Sequence, residues 1–322
     1  MSWLADWDDV IHGTVVFGAA VPFGVALLLG WRLPGRLWMA VAGALIVPVL
    51  WIFGWPSWPL KGSDDAVVAG LAVAIAFASL DLSVPLRAAL RAIVWAGLGW
   101  LLFPAWLAAD GGAAKRLLTA GAMGVSIAAW GAVVEFLARE RTGENGSGFR
   151  LTPATWVPPS IALAVLLQLG GSTRFAQCSG ALAAAVGGAS LLVIRGRGQA
   201  GLCPLAALWG MLSGLLGWSG WLYAGIQIGP AVALLLCPFA ALAVRRIPLP
   251  RQSEFLEQLW DGLAAAVVAG LVIGAGFKYP CGFLNRRHRR QALPSRRRRP
   301  GDRSCRIPRR DSKARVSLSR RI

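Results

Sequence analysis

The sequence predicts an all-α, polytopic integral membrane protein of about ten transmembrane helices, followed by a disordered basic C-terminal tail. Three observations lead there. Of 322 residues, 56% are hydrophobic and only 15% are charged, where soluble domains carry about a quarter. The apolar residues stand in long, unalternating runs rich in Ala, Leu and Gly, unlike the alternating strands of a membrane barrel. Seven of the 16 Trp stand at or near the ends of those runs, where an indole keeps its N–H in the wet headgroup zone and its ring in hydrocarbon. This composition excludes an ordinary globular enzyme, a disordered chain and a disulfide-stapled secreted domain.

A bilayer core about 30 Å thick takes roughly 20 helical residues. The runs 11–30, 37–55, 90–108, 117–137, 226–244 and 259–277 meet this plainly, and 202–223 joins them. The runs 66–82, 156–171 and 178–194 are shorter, and 156–171 carries Pro158, Pro159 and Gln168. Pro22, Pro48, Pro104, Pro230 and Pro238 fall inside runs, where neighbouring helices can satisfy the freed backbone groups. Trp31, Trp38, Trp55, Trp58, Trp106, Trp156 and Trp260 stand at or near run ends and read as interfacial anchors. Trp51, Trp95, Trp100, Trp130 and Trp209 lie deeper and are expected to face other helices.

Orientation follows from the basic residues. Met1 to His12 holds Asp6, Asp8 and Asp9 and no Lys or Arg, so the first run is expected to be a retained span rather than a cleaved signal peptide. Connections after odd-numbered runs carry 12 Arg, among them Arg87, Arg91 and Arg139, while those after even-numbered runs carry only Lys61, Lys115, Arg116 and Arg174. The positive-inside rule then places the odd connections in the cytoplasm and the N-terminus outside. The Arg-rich, Lys-poor body suggests a GC-rich bacterium, hence the inner membrane.

The net charge of +18 divides unevenly. Residues 1–277, the predicted bundle, hold 16 Lys and Arg against 13 Asp and Glu, whereas 278–322 hold 17 against 2. After ten spans this tail emerges outside, on the face that the basic residues of the body reject. It also changes character abruptly: 285–322 contain 15 Arg and neither Glu nor an aromatic residue. The tail is therefore read as an unstructured appendage or as the product of a shifted reading frame, possession of which would make it non-native. Nucleic-acid binding does not follow from the charge, which belongs to the last 45 residues rather than to the bundle.

Chemistry is sparse. His12 and His288 cannot form a paired-His metal site, and Cys178, Cys203, Cys237, Cys281 and Cys305 have no CxxC spacing. Gly217-Trp218-Ser219-Gly220 lacks the last Gly of a nucleophile elbow, and Gly196-Arg197-Gly198 lacks a dinucleotide fingerprint. No catalytic residue, cofactor or metal is expected. The candidate intramembrane polar residues are Glu135, Gln168, Gln227 and Asp261, because burial of such groups in a bilayer is costly. Glu135 precedes Arg139 by four residues, which an i,i+4 ion pair explains. Asp81 closes a run, and Glu254, Glu257 and Asp261 form an acidic stripe after Ser253, a helix N-cap candidate, suited to a helix N-terminus.

The six letters Ala66 to Leu71 recur as Ala266 to Leu271, a match that Ala/Val/Gly-rich text yields by chance. Gly210/Gly214, Gly270/Gly274, Gly121/Gly124 and Gly187-Gly188 offer small faces for close helix approach, first of all within the bundle. The expected partners are the lipid bilayer and, through such faces, other membrane proteins. The expected role is a non-catalytic membrane component. The alternative is a small-solute or lipid transporter with a path near Pro104, Pro158-Pro159 or Pro230. Sequencing the gene through codons 270–290 tests the shifted-frame reading of the tail: a frame change there supports it, and an intact frame shared with close relatives contradicts it.

Overall fold

The computed structural model describes residues 16, 18–57, 60, 63–80, 82–102, 112–139, 151–197, 201–244 and 254–278. Trp58, Asp81, Pro104, Trp106, Ser253 and the tail from 279 lie outside them, as do the side chains of Glu254 and Glu257. Among the described residues the chain is helical, without a strand. Helix α1 (Val21–Arg32), a 3-10 turn (Pro34–Arg36) and α2 (Leu37–Phe53) precede α3 (Ser63–Ser79), α4 (Val84–Leu102) and α5 (Gly112–Ala138). A second 3-10 turn (Pro153–Trp156) leads into α6 (Val157–Leu169), α7 (Thr173–Ile194) and α8 (Leu202–Tyr223). The chain continues through α9 (Ile228–Leu236), α10 (Pro238–Val244) and α11 (Glu254–Lys278). Among the described residues three helices, α5, α7 and α8, are long and apolar enough to cross a membrane, with 27, 22 and 22 residues.

Proline explains many of the helix starts. Pro22, Pro85, Pro158, Pro204 and Pro230 fall in first turns, and Pro238 is the first residue of α10. There the missing N–H would have had no intrahelical partner and the fixed φ suits the helix. Pro48 alone is inside a described helix, in α2. Two expectations about boundaries are corrected. The run 226–244 is broken at Cys237 into α9 and α10, because Pro238 cannot continue the hydrogen-bond ladder. The run expected from 90 begins at Val84, so Arg87 and Arg91 belong to the first two turns of α4 rather than to a connection.

Helix α8 is the centre of the bundle. Every residue from Leu205 to Gly217 is buried, and α8 packs against α2, α3, α5, α6, α7 and α9. Small residues permit this. A Cβ on Gly210 would lie 3.0 Å from the Gly131 Cα, and one on Gly214 would lie 3.2 Å from Ile127, so this pair of glycines serves contact within the chain. The antiparallel helices α4 and α5 approach still more closely, with Gly124 against the Ala92 and Ala96 backbone and Gly99 against Ala120. Gly270 and Gly274 on α11 are exposed, with open space where a Cβ would stand.

Tryptophan and serine tie helices together in a way the sequence had not suggested. The Trp209 Nε1–H donates to Ser160 Oγ at 2.9 Å, joining α8 to α6, and Ser179 Oγ donates to the Ser160 carbonyl at 2.8 Å, adding α7. The Trp218 Nε1–H donates to Ser126 Oγ at 2.8 Å between α8 and α5. Interhelical bonds of this kind contribute about 0.6–2 kcal/mol in a bilayer. Two expectations for Trp are corrected here. Trp156, expected at the interface, is wholly buried and stacks on Trp209 with ring centroids 5.7 Å apart. Trp51 and Trp100, expected to face other helices, are 62% and 36% exposed, because position along a run does not specify position around the helix.

The repeated hexapeptide has two different environments: Val67 and Leu71 are buried, whereas Val267 and Leu271 are exposed. The helix ends meet in two sets. In one, Arg197 covers the Trp31 ring at 3.8 Å, Gly201 abuts Leu37, and Ala154 abuts Gly262. In the other, Arg174 pairs with Asp64, Gly170 abuts Ala224, and Gly180 lies beside the Gly18 carbonyl. Replacing Gly124 with Val forces a methyl-bearing Cβ into α4 backbone and should cost about 1–3 kcal/mol or more. Gly270→Val should stay within about 0.5 kcal/mol. Thermal unfolding in detergent measures both, and equal effects would contradict this packing.

Candidate functional site

A polar cavity lies between the start of α4 and the end of α5. On a helix, residues four apart share a face, so Arg87 and Arg91 rise together from α4, and Glu135 and Arg139 from α5. The antiparallel packing that sets Gly99 beside Ala120 carries these two pairs to the same level. The Glu135 carboxylate then receives three guanidinium groups. Arg87 Nη1 donates to Oε1 at 2.6 Å, Arg91 Nη1 to Oε2 at 2.9 Å, and Arg139 Nη2 to Oε1 at 3.2 Å. Arg87 Nη2 also donates to the Leu82 carbonyl at 2.8 Å, fixing its side chain across the helix start.

Burial grades across the cluster. The side chains of Arg91 and Glu135 are 2% and 7% exposed, against 46% for Arg139. Three guanidinium groups thus converge on one carboxylate. Arg87 near the N-terminus of α4 adds to the positive end of that helix dipole. Among the described residues, Arg91 Nε and Nη2 are buried with no hydrogen-bond partner. Leaving such donors unmet is costly, since each has given up water. The Arg91 Cζ lies 6.0 Å from the Phe77 ring centroid, at the outer reach of a cation–π contact.

A cavity of about 220 Å³ adjoins this cluster. Ala88 and Ala132 line it beside the charged groups, and their short side chains leave the space that the arginines border. The expected Glu135–Arg139 pair is present, but it is the outer part of a larger arrangement. The sequence signal for the rest was Arg-x-x-x-Arg beside an apolar run, four residues apart like the Glu-x-x-x-Arg pair.

The other expected polar residues stand elsewhere. Gln168 is exposed near the end of α6, and Gln227 is exposed immediately before α9. Asp261 is buried on α11 at 2% exposure. Among the described residues no three His, Cys, Asp or Glu side chains form a metal-binding group.

An all-helical bundle with three helices of membrane-crossing length and a buried, cation-rich cluster is the class that the geometry defines. The chain matches no protein-family model, no curated protein and no solved structure. The cluster itself makes a direct stability prediction. Glu135→Gln strands Arg91 as a buried cation and should cost about 3 kcal/mol or more. Arg139→Gln, at the exposed edge, should cost about 1 kcal/mol or less. Thermal unfolding of the purified chain distinguishes them, and the reverse order contradicts the burial gradient.

Proposed function

We propose that the chain is a multi-pass inner-membrane protein of about ten spans, of bacterial origin, acting as a non-catalytic component that packs against spans of partner proteins. The observation that carries this reading is the close packing of α8, buried at every residue from Leu205 to Gly217. The gaps beside Leu45, Val67 and Leu215, and beside Trp209 and Leu234, are each only about 10 Å³, near the size that holds one water. Gln168 and Gln227, candidates for lining a path, are exposed. A larger space of about 150 Å³ among Ile127, Trp130, Trp218 and Leu235 is apolar.

The two sets of meeting helix ends support alternation across a bilayer. Ends joined through Trp31–Arg197 and Arg91–Glu135 belong to the Arg-rich connections, and those joined through Asp64–Arg174 to the Arg-poor ones. Taking α9 and α10 as one interrupted span, the succession of helices fits ten crossings. The positive-inside rule then puts the N-terminus outside and the Glu135 cluster toward the cytoplasm. The exposed outer face of α11, with Leu263, Val267, Gly270 and Leu271, is suited to lipid or to a neighbouring span.

A second reading, transport of a small solute or lipid, draws on the interruption at Cys237, since broken helices line paths in many transporters. Purification from membranes in mild detergent separates the two. The component reading expects partner membrane proteins in fixed proportion to the chain. A lone, monodisperse chain that moves solute in proteoliposomes contradicts it.

A further inference from the structure

We infer that the cavity between α4 and α5 is a binding site for a phosphate group, carried by an anionic lipid headgroup or by free phosphate. This inference holds independently of the component or transporter reading. Three features converge on it. The guanidinium groups of Arg87, Arg91 and Arg139 converge on the single Glu135 carboxylate, and Arg91 reaches it through Nη1 alone. Arg91 is 1% exposed, lines the cavity, and keeps Nε and Nη2 without partners among the described residues. The adjoining space, about 220 Å³, far exceeds the roughly 10–15 Å³ that one water needs.

Phosphate fits this site by chemistry as well as by charge. A guanidinium presents its N–H groups as a planar fork that matches two oxygens of a phosphate, and such charge-assisted bonds are strong. The free Nε and Nη2 of Arg91 are neighbouring donors of one fork, while Nη1 is held by Glu135. Glu135 therefore orients Arg91 and competes with the incoming anion for its charge. An oxyanion in the cavity completes the hydrogen bonding of Arg91. The more exposed Arg139 stands at the mouth, where an anion arrives.

The test uses the full chain in a neutral detergent, with thermal stability followed on titration. One arm compares sodium phosphate with sodium chloride at equal ionic strength. The other compares phosphatidylglycerol with phosphatidylcholine. Stabilisation by phosphate alone assigns the free anion, stabilisation by phosphatidylglycerol alone assigns the headgroup, and either or both supports the site. Arg91→Gln should weaken binding about tenfold, the weight of one charge-assisted hydrogen bond. Glu135→Gln should strengthen it, because the competing carboxylate is gone, and so be stabilised by phosphate more than the parent chain. If Arg91→Gln does not fold, Arg139→Gln at the edge serves, with affinity lowered about threefold. No response to either phosphate source, or equal affinities across the variants, overturns the site.

Discussion

An apolar chain in an apolar solvent has little hydrophobic reason to bring one helix against another. Contacts must come from close packing of small residues and from polar groups that prefer each other to lipid. Both devices meet in α5. One part of that helix, around Gly124, takes the backbone of α4 at near-contact distance. Gly131 receives Gly210 of α8. Glu135, one turn further, closes the α4 contact by binding Arg87 and Arg91. Ser126 accepts from Trp218 between them. The position of α8, and through it α2, α3 and α7, rests on this one helix being small on one side and polar at one end.

The Glu135 cluster is more than a fastening. A fastening would leave its buried donors satisfied, as one Arg with one Glu can. Here the innermost arginine is the least satisfied, while the outermost shares the carboxylate at longest range. Two short alanines hold open the space beside it. Stability alone does not account for that combination, since a methionine or leucine would fill the gap and remove the desolvation cost. An anion explains why space and unmet donors coincide.

Much of the fold was legible in the sequence because hydropathy records length. Leu202–Tyr223 coincides with the run read from the sequence, and Leu37–Phe53 differs from its run only at the end. What hydropathy misses is direction around the helix. Trp156 ends a run, as an anchor would, yet faces inward onto Trp209, while Trp51 sits within a run and faces out. Arg87 and Arg91 were assigned to a connection because arginine lowers local hydropathy, although Pro85 marked a helix start just before them. Glu135 stood out as a costly charge, and its near partner Arg139 could be found by spacing. Its most buried partner, Arg91, is 44 residues away. Only the α4–α5 register set by Gly99 and Gly124 brings them together, and that register is a tertiary property.

Arg91 and Glu135 act as one buried unit joining α4 to α5. A double-mutant cycle measures this directly, using Arg91→Ala, Glu135→Ala and the double variant in reversible unfolding from detergent. A buried pair should show a coupling of about 2 kcal/mol, with the double variant losing much less than the two single losses combined. Additivity within about 0.5 kcal/mol would contradict the claim.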